Sequence, residues 1–300
     1  MNVKPEAVTE LNYLVRSYEG LTKLIAATLT RLQSKGLTKE EAGKDPFLKG
    51  EHIIKSSQTT QYKGLNSVKT QLTSRIEKEL QWWPIWSEWM VNIPGIGPAI
   101  ASQLIMLYYY RFIPVCTDCK GNLIKKAVAD KKTGKEINTL FCEVCQKSVK
   151  GEGNLQHRIE LKDFPRISSW WHYLGRHVVD GEMPKRRKGV QVDWSTKGRT
   201  VGYQISEQFN RPPKTCPYRI FLLRQKGKHL KKNDTREKPW TKVHIHNAAR
   251  NEVAKLFLSH FWQVARELDG LPVTEPYVGK HLGHDIIPPY YWNEKLEKAA

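Results

Sequence analysis

The sequence predicts a mainly α protein with one small β insertion, and three observations predict it. Apolar residues recur at helical spacing over long stretches on both sides of the chain's middle. Residues 92–105, Asn-Ile-Pro-Gly-Ile-Gly-Pro-Ala-Ile-Ala-Ser-Gln-Leu-Ile, set Gly95 and Gly97 around a single apolar residue between two apolar segments. Two cysteine pairs, Cys116-x2-Cys119 and Cys142-x2-Cys145, stand 22 residues apart.

The first helix is expected over 5–35, with Leu11, Leu14, Val15, Tyr18, Leu21, Leu24, Ile25, Leu29 and Leu32 on one face and Gly36 as its stop. A polar loop containing Gly43, Pro46 and Gly50 follows. A second helix is expected from about 60 to 83, where Leu65, Val68, Leu72, Ile76 and Leu80 are in phase and Pro84 interrupts. Together they read as a coiled-coil helical hairpin over 1–90, either a dimerisation device or a pair packed within one chain.

Residues 91–113 have the pattern of a helix-hairpin-helix. The turn is tight enough to need glycine, which adopts positive φ cheaply. The amides of Gly95 and Gly97 and of the following helix start would face outward, a terminus suited to a phosphate. Trp82, Trp83, Trp86 and Trp89, just upstream, are expected in the core.

The cysteine pairs mark 114–150 as an insertion. A two-residue gap lets two thiolates reach one tetrahedral ion at about 2.3 Å, and the spacing between the pairs suits a zinc ribbon. Cys116, Cys119, Cys142 and Cys145 are therefore the expected ligands of a structural Zn²⁺. Two strands, 122–129 and 136–141, are expected around a turn at Lys132-Thr133-Gly134. Disulfides fit poorly with a basic intracellular chain. Cys216, between Pro213 and Pro217, reads as a buried filler.

Helical pattern resumes at Phe164, opening a basic domain that spans 151–270. A short helix is expected over 167–175, an irregular segment over 176–200, helix over 202–209 and 218–224, a basic loop over 226–236 and a long helix over 243–268. Residues 271–300 form a Pro/Gly/aromatic tail expected to wrap the surface. The formal net charge is +19, and it is uneven. Residues 180–250 hold eighteen Lys/Arg against six Asp/Glu. A field of one sign at that density attracts polyanions. No run of eighteen apolar residues and no signal peptide is present, so the expected partner is nucleic acid and not a membrane.

Catalytic patterns are lacking. Asp180, Glu182 and Asp193 lie in an irregular segment, His244-x-His246-Asn247 opens a helix, and His281, His284 and Asp285 lie in the tail. No P-loop, serine elbow or dinucleotide fingerprint is present. No catalytic residue is expected, and the chain reads as a binding protein.

The order of parts resembles the C-terminal domain of the DEDD transposases of bridge-RNA-guided insertion elements. The resemblance runs through Ile93-Pro94-Gly95-Ile96-Gly97, Phe164-x5-Trp170 to Tyr173-Leu174-Gly175, Ser195-Thr196-Lys197-Gly198-Arg199 with Tyr203-Gln204, and Ala248-Ala249-Arg250 through Ala254. It covers roughly 60–113 and 164–268. Two departures stand out. A RuvC-like nuclease domain is not found, and Asp180-Gly181 stands where the family has its nucleophilic serine. The chain is more similar to the nuclease-free Tas proteins of tandem interspaced guide RNA systems, relatives of the Nop-domain proteins of box C/D ribonucleoproteins. That resemblance implies a Nop-like helical domain, a guide RNA and target DNA as partners, a homodimer, no enzymatic activity, and the cytoplasm of a prokaryotic cell or phage host.

On that reading Lys185, Arg186, Arg187, Lys188, Lys197, Arg199, Lys226, Lys228, Lys231 and Lys232 contact phosphates. Trp194, Tyr203 and Trp240 are candidates for stacking on unpaired bases. The alternative is a DNA-binding transposase- or recombinase-like factor of a mobile element, acting through its hairpin. A ribosome- or tRNA-associated protein is a third reading.

Overall fold

The computed structural model describes residues 3–55, 58–129, 136–149, 156–179, 182–274 and 286–292. It is mostly helical and divides into two units, residues 1–104 with 164–300 and residues 105–163. No helix among the described residues is long and apolar enough to cross a membrane.

In the first unit, α1 (Pro5–Ser34) has proline in its first turn with Glu6, and Arg31 in its last, each placed to favour a helix end. Gly36 stops it with φ +91°. Its proximal half buries Val8, Leu11, Leu14 and Val15. There it packs on α4 (Leu65–Leu80), which buries Ile76 and Leu80. Two contacts cross the pair: Arg75 meets Glu10 at 2.6 Å on the exposed side, and Lys69 lies 5.1 Å over the half-buried Tyr18 ring.

The expected polar loop between them is largely ordered. It holds α2 (Lys39–Gly43), closed by a reciprocal Thr38–Glu41 capping box, and α3 (Pro46–Lys49), capped by Asp45. Next comes an antiparallel pair, β1 (Gly50–Lys55) with β2 (Gln58–Lys63), in register from Gly50↔Lys63 to Lys55↔Gln58. The second helix therefore begins at Leu65 and not near 60. Ile53, Ile54, Thr59 and Thr60 are β-branched and favour the strand.

Pro84 leads into an irregular segment, a π turn over Ile85–Trp89 and a 3₁₀ turn over Met90–Asn92. Trp83, Trp86 and Trp89 are buried, but Trp82 is 66% exposed, one position off the buried phase where α4 ends. The segment before the Gly-x-Gly turn is thus not a regular α-helix. Gly95 takes φ +95°, and a Cβ there would lie 3.3 Å from Pro212. Gly97 is not in the left-handed region, and a Cβ on it would meet nothing within 4 Å. Its carbonyl accepts from Ile100 and Ala101 at 3.1 and 3.0 Å, opening α5 (Pro98–Tyr109).

The rest of the unit is assembled on α9 (Lys242–Leu268). Phe257 meets Trp89 at 5.6 Å and both Phe209 and Tyr218 at 5.5 Å, and Phe261 meets Trp170 at 6.2 Å. Trp170 comes from α6 (Ile167–Tyr173), which gives way to Gly175 at φ +63°. Phe209 follows α7 (Thr196–Gln208), which starts six residues before its expected position because Ser195 caps the Gly198 amide. Tyr218 belongs to α8 (Pro217–Asn233). This helix absorbs most of the expected basic loop, since proline at its start and good helix formers after it outweigh Gly227. Cys216 is buried just before it.

Buried His260 lies between Tyr218 Oη at 2.8 Å and the Ile287 carbonyl at 3.0 Å, and burial pushes its imidazole down to about 4. Trp89 donates to the Tyr290 carbonyl at 2.8 Å, so the described end of the tail packs on this core.

The second unit, Ile105–Asp163, has an antiparallel stem, β3 (Tyr110–Val115) with β7 (Gln156–Leu161), paired from Tyr110↔Leu161 to Val115↔Gln156. Within it lies a three-stranded antiparallel sheet in the order β4 (Leu123–Ala129), β5 (Glu136–Cys142), β6 (Lys147–Val149). The two expected strands are β4 and β5. The turn expected at 132–134 lies outside the described residues. The segment expected at 114–150 thus sits inside a longer unit, because β7 returns to pair with β3.

The two glycines of the turn make opposite demands, which one substitution separates. Gly95→Ser forces a side chain into positive φ and should cost about 1–2 kcal/mol. Gly97→Ser adds a capping hydroxyl at the start of α5 and should be neutral or stabilising. Urea denaturation of the two variants measures the difference; equal losses would contradict the assigned conformations.

Candidate metal centre and nucleic-acid interface

Two similar turns bring the four cysteines together. In each, the residue after the second cysteine takes positive φ without being glycine, Lys120 at 60° and Gln146 at 53°. Such a conformation persists only where its surroundings enforce it. Around the first turn, the Lys120 amide donates to the Cys116 carbonyl at 3.0 Å and the Cys116 amide to the Gly121 carbonyl at 2.8 Å. In the second, the Cys145 amide donates to Cys142 Sγ at 3.4 Å.

The ligand sulfurs of Cys116, Cys119, Cys142 and Cys145 all lie within 4.8 Å of one another, with Cys119–Cys142 at 3.5 Å and Cys116–Cys145 at 3.9 Å. A tetrahedron of sulfurs at 2.3 Å from a central ion has edges of about 3.8 Å. The four cysteines can therefore hold a metal ion. Cys116 and Cys142 are buried with Leu123, against Leu140, Cys145 and Val149, so the site is also the small hydrophobic centre of its unit.

Hydrogen bonds from the Cys119 and Asp118 amides hold the Cys116 thiol down to about 7, while contact with Cys119 and the other thiols pushes Cys145 up to about 12. Four thiolates this close repel, and a cation is what lets all of them ionise.

In the first unit the expected phosphate contacts fall into three settings. Lys185, Arg186, Arg187 and Lys188 are exposed in an irregular segment, where Lys185 meets Glu182 at 2.6 Å. Lys228, Lys231 and Lys232 are exposed on α8, while Lys226 is partly buried and burial lowers its pKa. On α7, Lys197 pairs with Glu19 of α1 at 2.7 Å, and Arg199 reaches the Pro184 carbonyl and lies 4.9 Å over the Trp194 ring.

The stacking candidates differ as well. Trp194 is only 8% exposed, packed under Arg199 and against Gly175, so it supports the site and does not present a free face. Trp240 is partly covered by Arg236 at 3.6 Å and His229 at 5.7 Å. Tyr203 is 54% exposed, with Arg250 at 4.2 Å over its ring. Gly95 and Gly97 border a separate cleft of about 570 Å³ whose one lysine is Lys69.

A second cavity, of about 670 Å³, joins Arg186, Trp194, Arg199 and Tyr203 to two residues that sequence reasoning missed, Arg176 and Arg250. Each is 5% exposed. Arg250 meets Glu207 at 2.5 Å. Arg176 has no carboxylate partner among the described residues; it donates to Asn251 Oδ1 at 2.6 Å and contacts the Arg199 carbonyl at 3.4 Å. Its pKa is lowered to about 10 by burial, then by Arg199 and Arg250. One signal was readable: Arg250 stands in the buried phase of α9 beside Ala249 and Val253. Nothing local marked Arg176.

The scattered acids and histidines are not brought together. Glu182 pairs with Lys185, Asp193 lies 3.2 Å from His172, and the four cysteines are the one metal-competent group among the described residues. Asp180, His281, His284 and Asp285 lie outside the described residues. No protein-family model, curated protein or solved structure matches the chain.

The sulfur cluster should carry one tightly held divalent ion per purified chain. Elemental analysis should show that Cys142→Ser removes it, and that chelators strip it faster as the pH falls and thiolates protonate. Full metal content in Cys142→Ser would contradict this assignment.

Proposed function

We propose that the chain is a guide-RNA-binding protein of an RNA-guided DNA-targeting system, without a nuclease of its own. One observation carries the nucleic-acid part: Arg176, Arg186, Arg199 of α7 and Arg250 of α9 line one cavity of the first unit, Lys226 of α8 lies near enough to Arg250 to feel its charge, and several of the unit's cations have no acidic partner among the described residues. Such a charge excess binds a polyanion by releasing its counterions, with little dependence on sequence. Sequence would then be read by pairing between guide and target while the protein grips backbone and shape. The guide, the target DNA and a homodimeric state rest on the family resemblance.

In this reading the four cysteines hold Zn²⁺, with no open coordination position. The ion folds the second unit and takes no part in chemistry.

The alternative, a DNA-binding factor of a mobile element acting through the hairpin, is favoured by the cleft at Gly95 and Gly97 and by Lys69 in its wall. Sequencing of the RNA that co-purifies with the chain from its native cell separates the two. One short, repetitive RNA species is expected. Tight binding to branched DNA with no enriched RNA would overturn the guide-RNA reading in favour of the alternative.

A further inference from the structure

The Arg176 cavity does something that an exposed basic surface cannot. Exposed lysines neutralise phosphates from outside, and water screens them. Arg176 is instead withdrawn from solvent, its Nε has no hydrogen-bond partner, and no carboxylate among the described residues neutralises it. Arg250 Nε, equally buried, is also without a hydrogen-bond partner. Glu207, the acid that Arg250 meets, is engaged by it.

A buried cation without a counter-charge is costly to keep, and four guanidiniums around one cavity make it costlier. The fold nonetheless makes room for it. A Cβ on Gly202 would lie 2.9 Å from Arg176 Nη2 and 3.0 Å from its Nε, so glycine in α7 is what lets the helix approach the guanidinium. Asn251 then fixes the other nitrogen. A planar fork held this way suits an oxyanion with several acceptor oxygens.

We infer that this cavity takes one phosphate-bearing nucleotide, its phosphate on Arg176, Arg199 and Arg250 and its base against the open face of Tyr203. The inference rests on the nucleic-acid reading above and sharpens it: the ligand is a single nucleotide unit drawn out of a strand. A cavity of about 670 Å³ falls within the roughly 300–1,000 Å³ of small-ligand sites. The half-exposed ring at the cavity supplies a stacking surface for any base. Burial first, and then repulsion from Arg199 and Arg250, lower the pKa of Arg176; an anion in the cavity relieves the repulsion.

The test uses the full chain, calorimetry and three probes: adenosine, adenosine 5′-monophosphate and a short single-stranded oligoadenylate. The monophosphate should bind and adenosine should not, and the oligonucleotide should bind more tightly than the monophosphate. Arg176→Gln and, as the variant closer to solvent, Arg199→Gln should each weaken both phosphate-bearing probes roughly tenfold or more. Circular dichroism and Tm check the fold; if Arg176→Gln does not fold, Arg199→Gln decides.

Binding unchanged in the folded variants, or adenosine binding as tightly as the monophosphate, would overturn the inference. Monophosphate binding without oligonucleotide binding would assign the cavity to a free nucleotide and overturn the strand part. The two readings fail separately. A chain that binds structured RNA with no loss in either variant keeps the proposed function and loses the cavity. A chain that takes the monophosphate through Arg176 but carries no RNA does the reverse.

Discussion

Helix α9 must be buried along most of its length, and the first unit closes around that requirement. Ala249, Val253, Ala254, Phe257, Leu258, Phe261, Val264 and Ala265 are all inaccessible. Trp89, Phe209 and Tyr218 converge on Phe257 while Trp170 reaches Phe261, so the irregular turn, α6, α7 and α8 meet at two rings one helical turn apart. Each such ring contributes about 1.5–3 kcal/mol by burial. The described end of the tail joins the same core through Trp89 and His260. Because Arg250 and Asn251 sit on that helix, the cationic cavity inherits the rigidity of the core. Side chains held on packed helices reach a ligand without first paying to be ordered.

The second unit has no comparable core. Its buried centre is Cys116, Leu123 and Cys142, too little apolar surface to hold a sheet of short strands. The sulfurs stand where the missing hydrophobic contacts would be, so a bound ion would take over the stabilising role that α9 plays elsewhere.

Much of this was legible in the sequence wherever one periodicity or one spacing dominated. The apolar phase of α9 and of the proximal half of α1, the burial of Trp83, Trp86 and Trp89, and the convergence of four cysteines all read directly; the distal half of α1 does not follow its expected face, since Leu24 is exposed and nothing there is buried. The β1–β2 pair was missed because six-residue strands in a polar stretch give no usable alternation. The length of α8 was missed because its second half, Gln225 to Asn233, is almost entirely polar, so propensity and packing on α9 hold it without an apolar stripe. Trp82 failed for a different reason: a cluster of tryptophans reads as core, but the chain turns there and one of them must face out. Arg176 was invisible, since its role depends on Gly202 and Asn251, distant in sequence and adjacent only after folding. The basic residues that stand out in the sequence are mostly exposed, because charged side chains are solvated by default, and the deeply buried Arg176 and Arg250 break that rule.

The central claim, that the cationic stretch of the first unit grips nucleic acid through phosphates, is tested most directly by the salt dependence of binding. Affinity for a structured RNA is measured across a salt series for the wild-type chain, for a Lys185-to-Lys188 quadruple alanine variant and for a Lys228, Lys231 and Lys232 triple alanine variant. Each phosphate contact adds about 0.7–0.9 to the slope of log affinity against log salt. Both variants should flatten that slope by roughly one such increment per contact removed. Slopes identical to wild type in both variants would contradict the account.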